Sequence, residues 1–291
     1  MAGPQTFIYT YSVINQKGGV GKTTTALALA QQLALRGYKV LAIDLDPQGN
    51  MSYSLGSQSR GYGAMEVLEH PEGVKGIIEH ITPTLDLIPS SAALAEANTR
   101  LKGKDKNVRL LKALSYLPDL KDGYRFCIID TPPALGTLTI NALTATNACI
   151  IPTLCDIYSF QGIKQLYTTI SVVQKTTNTN LFIEGILLIR YNNRITLRRE
   201  IEEQLEELVK MYDTKILNTH IRENIALAEA QALKQPIFTY SPESNGAQDY
   251  SDLVDELLTN LKGYDTWKSG GGVYTAVDDK LDKLNKLEER H

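Results

Sequence analysis

The sequence predicts an α/β fold, a mostly parallel twisted sheet flanked by helices on both faces. Two observations carry that expectation. Short apolar runs of strand length alternate along the chain with longer stretches of helical periodicity, the pattern of β-α-β crossovers. A glycine-rich run, KGGVGKTTT at residues 17–25, falls between the first of these strands and the first of these helices. With 291 residues the chain can bury roughly three quarters of the surface it exposes when unfolded, enough for a large core without staples.

Taken in order, FIYTYSVIN at residues 7–15 reads as a buried strand. Residues 22–36 read as a helix, with Leu27, Ala30, Leu33 and Ala34 on one face. Strands follow at 39–44 and 85–88, then a helix at 108–117. FCIID (126–130) and ACIIP (148–152) read as strands on either side of a helix at 138–145. A helix at 160–174, a strand at 183–189 and an amphipathic helix at 197–212 come next. A short strand near Ile216 and helices at 225–233 and 249–261 complete the pattern. Composition changes near residue 263, where GYDTWKSGGG reads as a linker. Residues 1–262 are thus expected to form one domain, with a linker and C-terminal helical extension over 263–291.

Composition excludes several classes. At 43% hydrophobic and 22% charged residues, the chain is neither mainly disordered nor fibrous. No apolar run reaches membrane-spanning length, and the N-terminus shows no signal peptide. A cytoplasmic protein is expected. The formal charge of −3 means that any contact with nucleic acid must come from a local basic patch. Cys127, Cys149 and Cys155 form no CxxC pair and lie in apolar stretches. Buried, reduced thiols are expected.

The glycine-rich run is where the chemistry starts. Glycines let backbone N–H groups turn inward around phosphates, and the following helix adds its positive N-terminal end. Lys22 would reach the β- and γ-phosphates, and the Thr23 hydroxyl would ligate Mg²⁺. Asp44 and Asp46 end the next strand as IDLDPQ, and the two-residue period of a strand puts both carboxylates on one face. Asp130 ends an apolar strand, the place from which P-loop proteins hold Mg²⁺ through water.

One departure sharpens the reading. The general phosphate-loop pattern asks for glycine at position 16; this chain has Gln16, and carries an additional lysine at Lys17. With this deviant loop, the run INQKGGVGKTTTALALAQQLALRGYKVLAIDLDPQGNMSYSLG resembles the ParA/Soj family of partition ATPases, within the ParA–MinD group of P-loop NTPases. The likeness continues through IIDTPPALG and ILNTHIRENIALAEAQALKQPIFTYSPESNGAQDYSDLVDEL and covers roughly residues 7–261.

The resemblance implies ATP and Mg²⁺ as cofactors and a homodimer that closes around ATP. Nucleotide would be held by Lys17, Gly18, Gly19, Val20, Gly21, Lys22, Thr23 and Thr24, with Lys17 reaching the partner's phosphates in trans. It implies that Asp46 orients the attacking water and that Asp44 supports the metal or Lys17. Thr23 and, through water, Asp130 would serve the metal, with Asp44 a further metal candidate. Asn192 and Pro236 occupy positions that flank the adenine in relatives. The TPP after Asp130 would respond to loss of the γ-phosphate.

The implied partners are non-specific duplex DNA and a ParB-like centromere-binding protein that stimulates slow hydrolysis, with nucleoid association in the ATP state. Arg194, Arg199, Arg222 and Lys234 are the DNA-contact candidates. Relatives usually read PRNVRL where this chain has RENIAL, so Glu223 and Ala226 stand where the family has arginines. The same loop would serve a positioning ATPase with a non-DNA cargo. A MinD-like membrane role is a further alternative. It is disfavoured because residues 277–291 contain no Phe or Trp and no basic face, so no membrane partner is expected.

Overall fold

A computed structural model describes residues 8–59, 61–117, 123–154, 159–191, 205–207, 209–212 and 214–267. Eight strands form one sheet: β1 (Tyr9–Val13), β2 (Val40–Asp44), β3 (Glu79–Thr82), β4 (Leu85–Ile88), β5 (Phe126–Asp130), β6 (Ala148–Leu154), β7 (Phe182–Tyr191) and β8 (Ile221–Arg222). Their spatial order is β3-β4-β2-β5-β1-β6-β7-β8. Every pairing is parallel except β3 with β4.

The helices are α1 (Lys22–Leu35), α2 (Asn50–Ser54), α3 (Ala64–Glu69), α4 (Ala97–Arg100), α5 (Arg109–Ser115), α6 (Thr137–Ala145), α7 (Ser159–Thr176), α8 (Ile225–Ala232), α9 (Ile237–Tyr240) and α10 (Asn245–Trp267). They cover both faces, and strand alternation decides which residue meets which layer. Tyr9, Tyr11 and Val13 of β1 pack with Val40, Ala42, Phe126 and Ile128 against α1 and Tyr250, Leu253 and Leu257 of α10. Leu41, Ile43, Cys127 and Ile129 point the other way, onto α3, α5 and α6. Cys149, Ile151, Ile186 and Leu188 continue that second layer beneath Ile163, Leu166 and Ile170 of α7. Cys127 and Cys149 are buried free thiols, as expected; Cys155 lies outside the described residues.

Three expectations are corrected. The strand near Ile216 is a single bridge to Ile186, and the eighth strand is Ile221–Arg222. β3 was not expected at all: its EHIT sequence alternates half-buried and exposed positions, so it carries no apolar run. The last helix runs from Asn245 to Trp267, through the segment 263–267 read as the start of a linker. Most of the helix expected at 197–212 and residues 268–291 lie outside the described residues.

Candidate nucleotide site

The site is built at the C-terminal ends of three neighbouring parallel strands, β2, β5 and β1, where open α/β sheets bind ligands. β1 delivers the loop 14–21, whose entrance is pinned to β6. The Asn15 amide nitrogen donates to the Pro152 carbonyl at 2.7 Å, and its oxygen accepts the Lys17 N–H at 2.9 Å. Gly19 and Gly21 take left-handed φ angles of 73° and 80°, conformations that cost any residue with a Cβ. Gly21 also lies over Ile189 of β7, which a Cβ there would meet at the ordinary contact distance of 3.4 Å. Its carbonyl accepts the Thr25 N–H at 2.9 Å and starts α1.

Lys22 opens α1 and is 7% exposed. Its ammonium bends back across the loop and donates to the Lys17 carbonyl at 3.1 Å. Burial holds it below the ordinary lysine value, against the opposing pull of the Asp130 and Asp46 carboxylates. A poised cation without a full ion-pair partner is what an incoming polyphosphate requires.

Three aspartates converge beside it. Asp130 ends β5 in register with Asp44 of β2 and Val13 of β1. It is fully buried, and neither carboxylate oxygen has a hydrogen-bond partner. Thr23 stands close enough to favour its charge, without hydrogen-bond geometry. Burial first, then the Asp44 carboxylate, pushes the Asp130 carboxyl well above its usual range. An orphaned buried carboxylate beside a threonine hydroxyl is an oxygen-only donor set, which suits Mg²⁺. No group of three or more His, Cys, Asp or Glu among the described residues could hold a metal alone.

Asp46 corrects the strand argument. β2 ends at Asp44, so Asp46 lies in the turn beyond it. The two carboxylates are related by an Asx turn, with the Asp46 N–H donating to Asp44 Oδ1 at 3.1 Å. Asp46 Oδ1 accepts the Gln48 N–H at 3.0 Å. Asp44 Oδ2 accepts both the N–H and the hydroxyl of Ser52, at 2.8 and 2.7 Å. Burial still raises its pKa to about 6. With both oxygens engaged by protein donors, Asp44 positions the turn. Behind Asp130, the Thr131 hydroxyl donates to the Val13 carbonyl at 2.8 Å and ties the TPP segment to β1.

The remaining expected residues divide. Val20 is fully buried and anchors the loop. Thr24 meets α8, accepting a hydrogen bond from Gln231. Pro236 precedes α9, and its carbonyl accepts the Thr239 and Tyr240 N–H groups. Lys234 closes α8 with a φ of 55° and sets its ammonium 4.3 Å from the Tyr53 ring centroid. Arg222 makes a bidentate pair with Asp249, itself only 5% exposed, while nearly half of the arginine side chain faces solvent. Asn192, Arg194 and Arg199 lie outside the described residues. Sequence reasoning missed Asn15, Ser52, Ser90 and Gln231. Only Asn15, directly before the loop, carried a local signal.

Known proteins resemble this chain over most of its length. Residues 9–183 match a family model described as an AAA domain. The chain is 41% identical over 253 residues to the sporulation initiation inhibitor protein Soj of Bacillus subtilis, covering 86% of this chain and 98% of that protein. It is 35% identical over 251 residues to the chromosome partitioning protein ParA of Myxococcus xanthus, covering 84% and 86% of the two chains. Among solved structures, a cobyrinic acid a,c-diamide synthase from Mycobacterium smegmatis with bound ATP analogue and magnesium superposes with a TM-score of 0.75 at 32% identity, covering 91% of this chain and 98% of that one. A plasmid partition protein from Borrelia burgdorferi bound to AMPPNP shares the fold, with a TM-score of 0.71 at 23% identity over 87% of this chain and all of that one. By its loop, its aspartates and its length-wide similarity, the chain belongs to the Soj/ParA family of chromosome-partitioning ATPases.

Proposed function

We propose that this chain is an ATP-driven partition switch. It binds ATP in a two-subunit sandwich, rides non-specific nucleoid DNA in that state, and is released when a ParB-like centromere-bound partner stimulates hydrolysis. The observation that supports this best is the meeting of Lys22, Asp46 and the unpartnered Asp130 at the mouth of the glycine loop. Backbone N–H groups of residues 18–24 cradle the phosphates, and Lys22 offsets their charge. Asp46 holds the attacking water in line, and Lys17 serves the partner's γ-phosphate as an added cation. Thr23 and, through water, Asp130 would hold Mg²⁺, which would supply positive charge against the phosphates. Asn192 and Pro236 flank the base. Arg194, Arg199, Arg222 and Lys234 supply the DNA contacts, which are phosphate-driven and therefore salt-sensitive.

The test is binding to non-specific duplex DNA with ATP, ADP or no nucleotide, at two salt concentrations, using Asp46→Ala to hold the ATP state. Binding with ATP alone, weakened by salt, is expected. Absence of binding under every condition would overturn the DNA arm and move the cargo to a protein surface.

A further inference from the structure

Asp46 is held by a closed ring of hydrogen bonds that begins and ends on its own backbone. Its N–H donates to Asp44 Oδ1 at 3.1 Å. Asp44 Oδ2 receives the Ser52 N–H and hydroxyl. The Ser52 hydroxyl oxygen in turn accepts the Ser90 N–H at 2.8 Å. The Ser90 hydroxyl closes the ring by donating to the Asp46 carbonyl at 2.5 Å. Both peptide groups flanking the Asp46 Cα are thereby tied, one to β2 and one to the segment that leaves β4, and the Asp46 carbonyl also accepts the Gly49 N–H at 2.9 Å. Asp46 lies outside any strand, so no sheet ladder does this work.

The ring is itself braced. Gly63 lies so close to this segment that a Cβ would come within 2.2 Å of the Pro89 carbonyl oxygen. The Ala64 N–H donates to that same carbonyl at 2.8 Å. The start of α3 therefore packs directly on the Pro89–Ser90 peptide. Ser52 is 7% exposed, so water does not readily replace its hydroxyl.

We propose that Ser52 and Ser90 are positioning residues for hydrolysis, setting Asp46 and the water it holds. They touch neither phosphate nor metal in this scheme, which rests on the water-holding role given to Asp46. Misplacing a catalytic group by about 1 Å can cost on the order of a hundredfold in rate. Loss of one ring bond, with partial relaxation, is expected to cost about tenfold.

The experiment measures Mg²⁺-ATP affinity and single-turnover hydrolysis for the full chain and for Ser52→Ala, Ser90→Ala, Ser90→Thr and Asp46→Ala. Expected are Ser→Ala rates about tenfold down, affinity within about twofold of the parent, and recovery in Ser90→Thr, which keeps the hydroxyl. Parent-like rates in the Ser→Ala variants, with Asp46→Ala inactive, would overturn the positioning role and leave the water-holding role standing. An equal loss of ATP affinity would also overturn it, since the ring would then support the whole site. Parent-like hydrolysis by Asp46→Ala would remove the water-holding role and this proposal with it. If Ser52→Ala fails to fold, the pair of variants at the partly buried Ser90 decides alone.

Discussion

The side-chain amide of Gln231 donates to the Thr24 hydroxyl at 3.0 Å, joining two residues 207 positions apart. This bond attaches α8 to the first turn of α1, just behind the phosphate loop. Thr24 then has its hydroxyl direction set by a helix that sequence reasoning linked only to DNA.

Gln231→Leu removes that donor while keeping the volume. A net hydrogen bond is worth about 1 kcal/mol, so ATP affinity is expected to fall about fivefold. Hydrolysis at saturating ATP should stay unchanged, because Asp46 and Lys22 are untouched. Titration of a fluorescent ATP analogue, with a saturated turnover assay beside it, checks both halves.

Asp130 presents a trade between stability and function. Its carboxylate is buried beside Asp44 and Asp46 without a hydrogen-bond donor. Asp130→Asn keeps the shape and removes the like-charge crowding. The unliganded variant is expected to melt roughly 5 °C higher, from a desolvation penalty of about 1–3 kcal/mol and about 2–4 °C per kcal/mol. It should also lose most of the stabilisation that Mg²⁺-ATP gives the parent. Thermal melts with and without Mg²⁺-ATP test this, and an unchanged ligand shift would deny Asp130 its part in holding the metal.

The parts of this site that were legible in the sequence are those whose chemistry is local. A glycine-rich turn between a strand and a helix is contiguous, so Lys17 to Thr24 announce it. An aspartate ending the apolar run FCIID must sit at a strand's C-terminal edge, which placed Asp130 correctly. Long-range partners left no such mark. Ser90 reaches Asp46 across 44 positions and Ser52 across 38, and serine in a loop is ordinary. The β3 edge strand was invisible because its exposed positions carry polar residues, as edge strands do. The end of α10 was misread because the linker reading took GYDTWKSGGG, with its three consecutive glycines, as one unit, whereas the helix continues through Gly263, and one glycine costs a helix only about 1 kcal/mol.

Glu184 makes stability depend on pH away from the nucleotide. It is 4% exposed on β7, accepts from Asn260 of α10 at 2.8 Å, and pairs with Lys215 at 3.5 Å. Burial, the largest effect, raises its pKa above the ordinary 4.5. For a carboxyl raised on folding, its stabilising share is complete below the unfolded value and is lost as pH rises through the folded value. Glu184→Gln removes that loss. The variant is expected to melt above the parent near neutral pH, with the gap closing as pH falls toward 4.5. Paired melts across that range check the sign, and a gap that widens on acidification would contradict it.

Arg222 carries two roles that a single substitution would confuse. Its guanidinium holds the buried Asp249 carboxylate, which also accepts the Arg222 N–H at 2.8 Å. Arg222→Ala strands that carboxylate, so lower stability is expected whether or not the arginine meets DNA. Adding Asp249→Asn removes the stranded charge and is expected to restore most of the melting temperature. If Arg222 also meets phosphate, the double variant must still bind duplex DNA more weakly in the ATP state. The slope of log affinity against log salt should then be shallower by about one for each phosphate left without its cation. Asp249→Asn alone supplies the reference, since it keeps the guanidinium and frees it from its partner. Recovery of stability together with a parent-like salt slope would confine Arg222 to the ion pair.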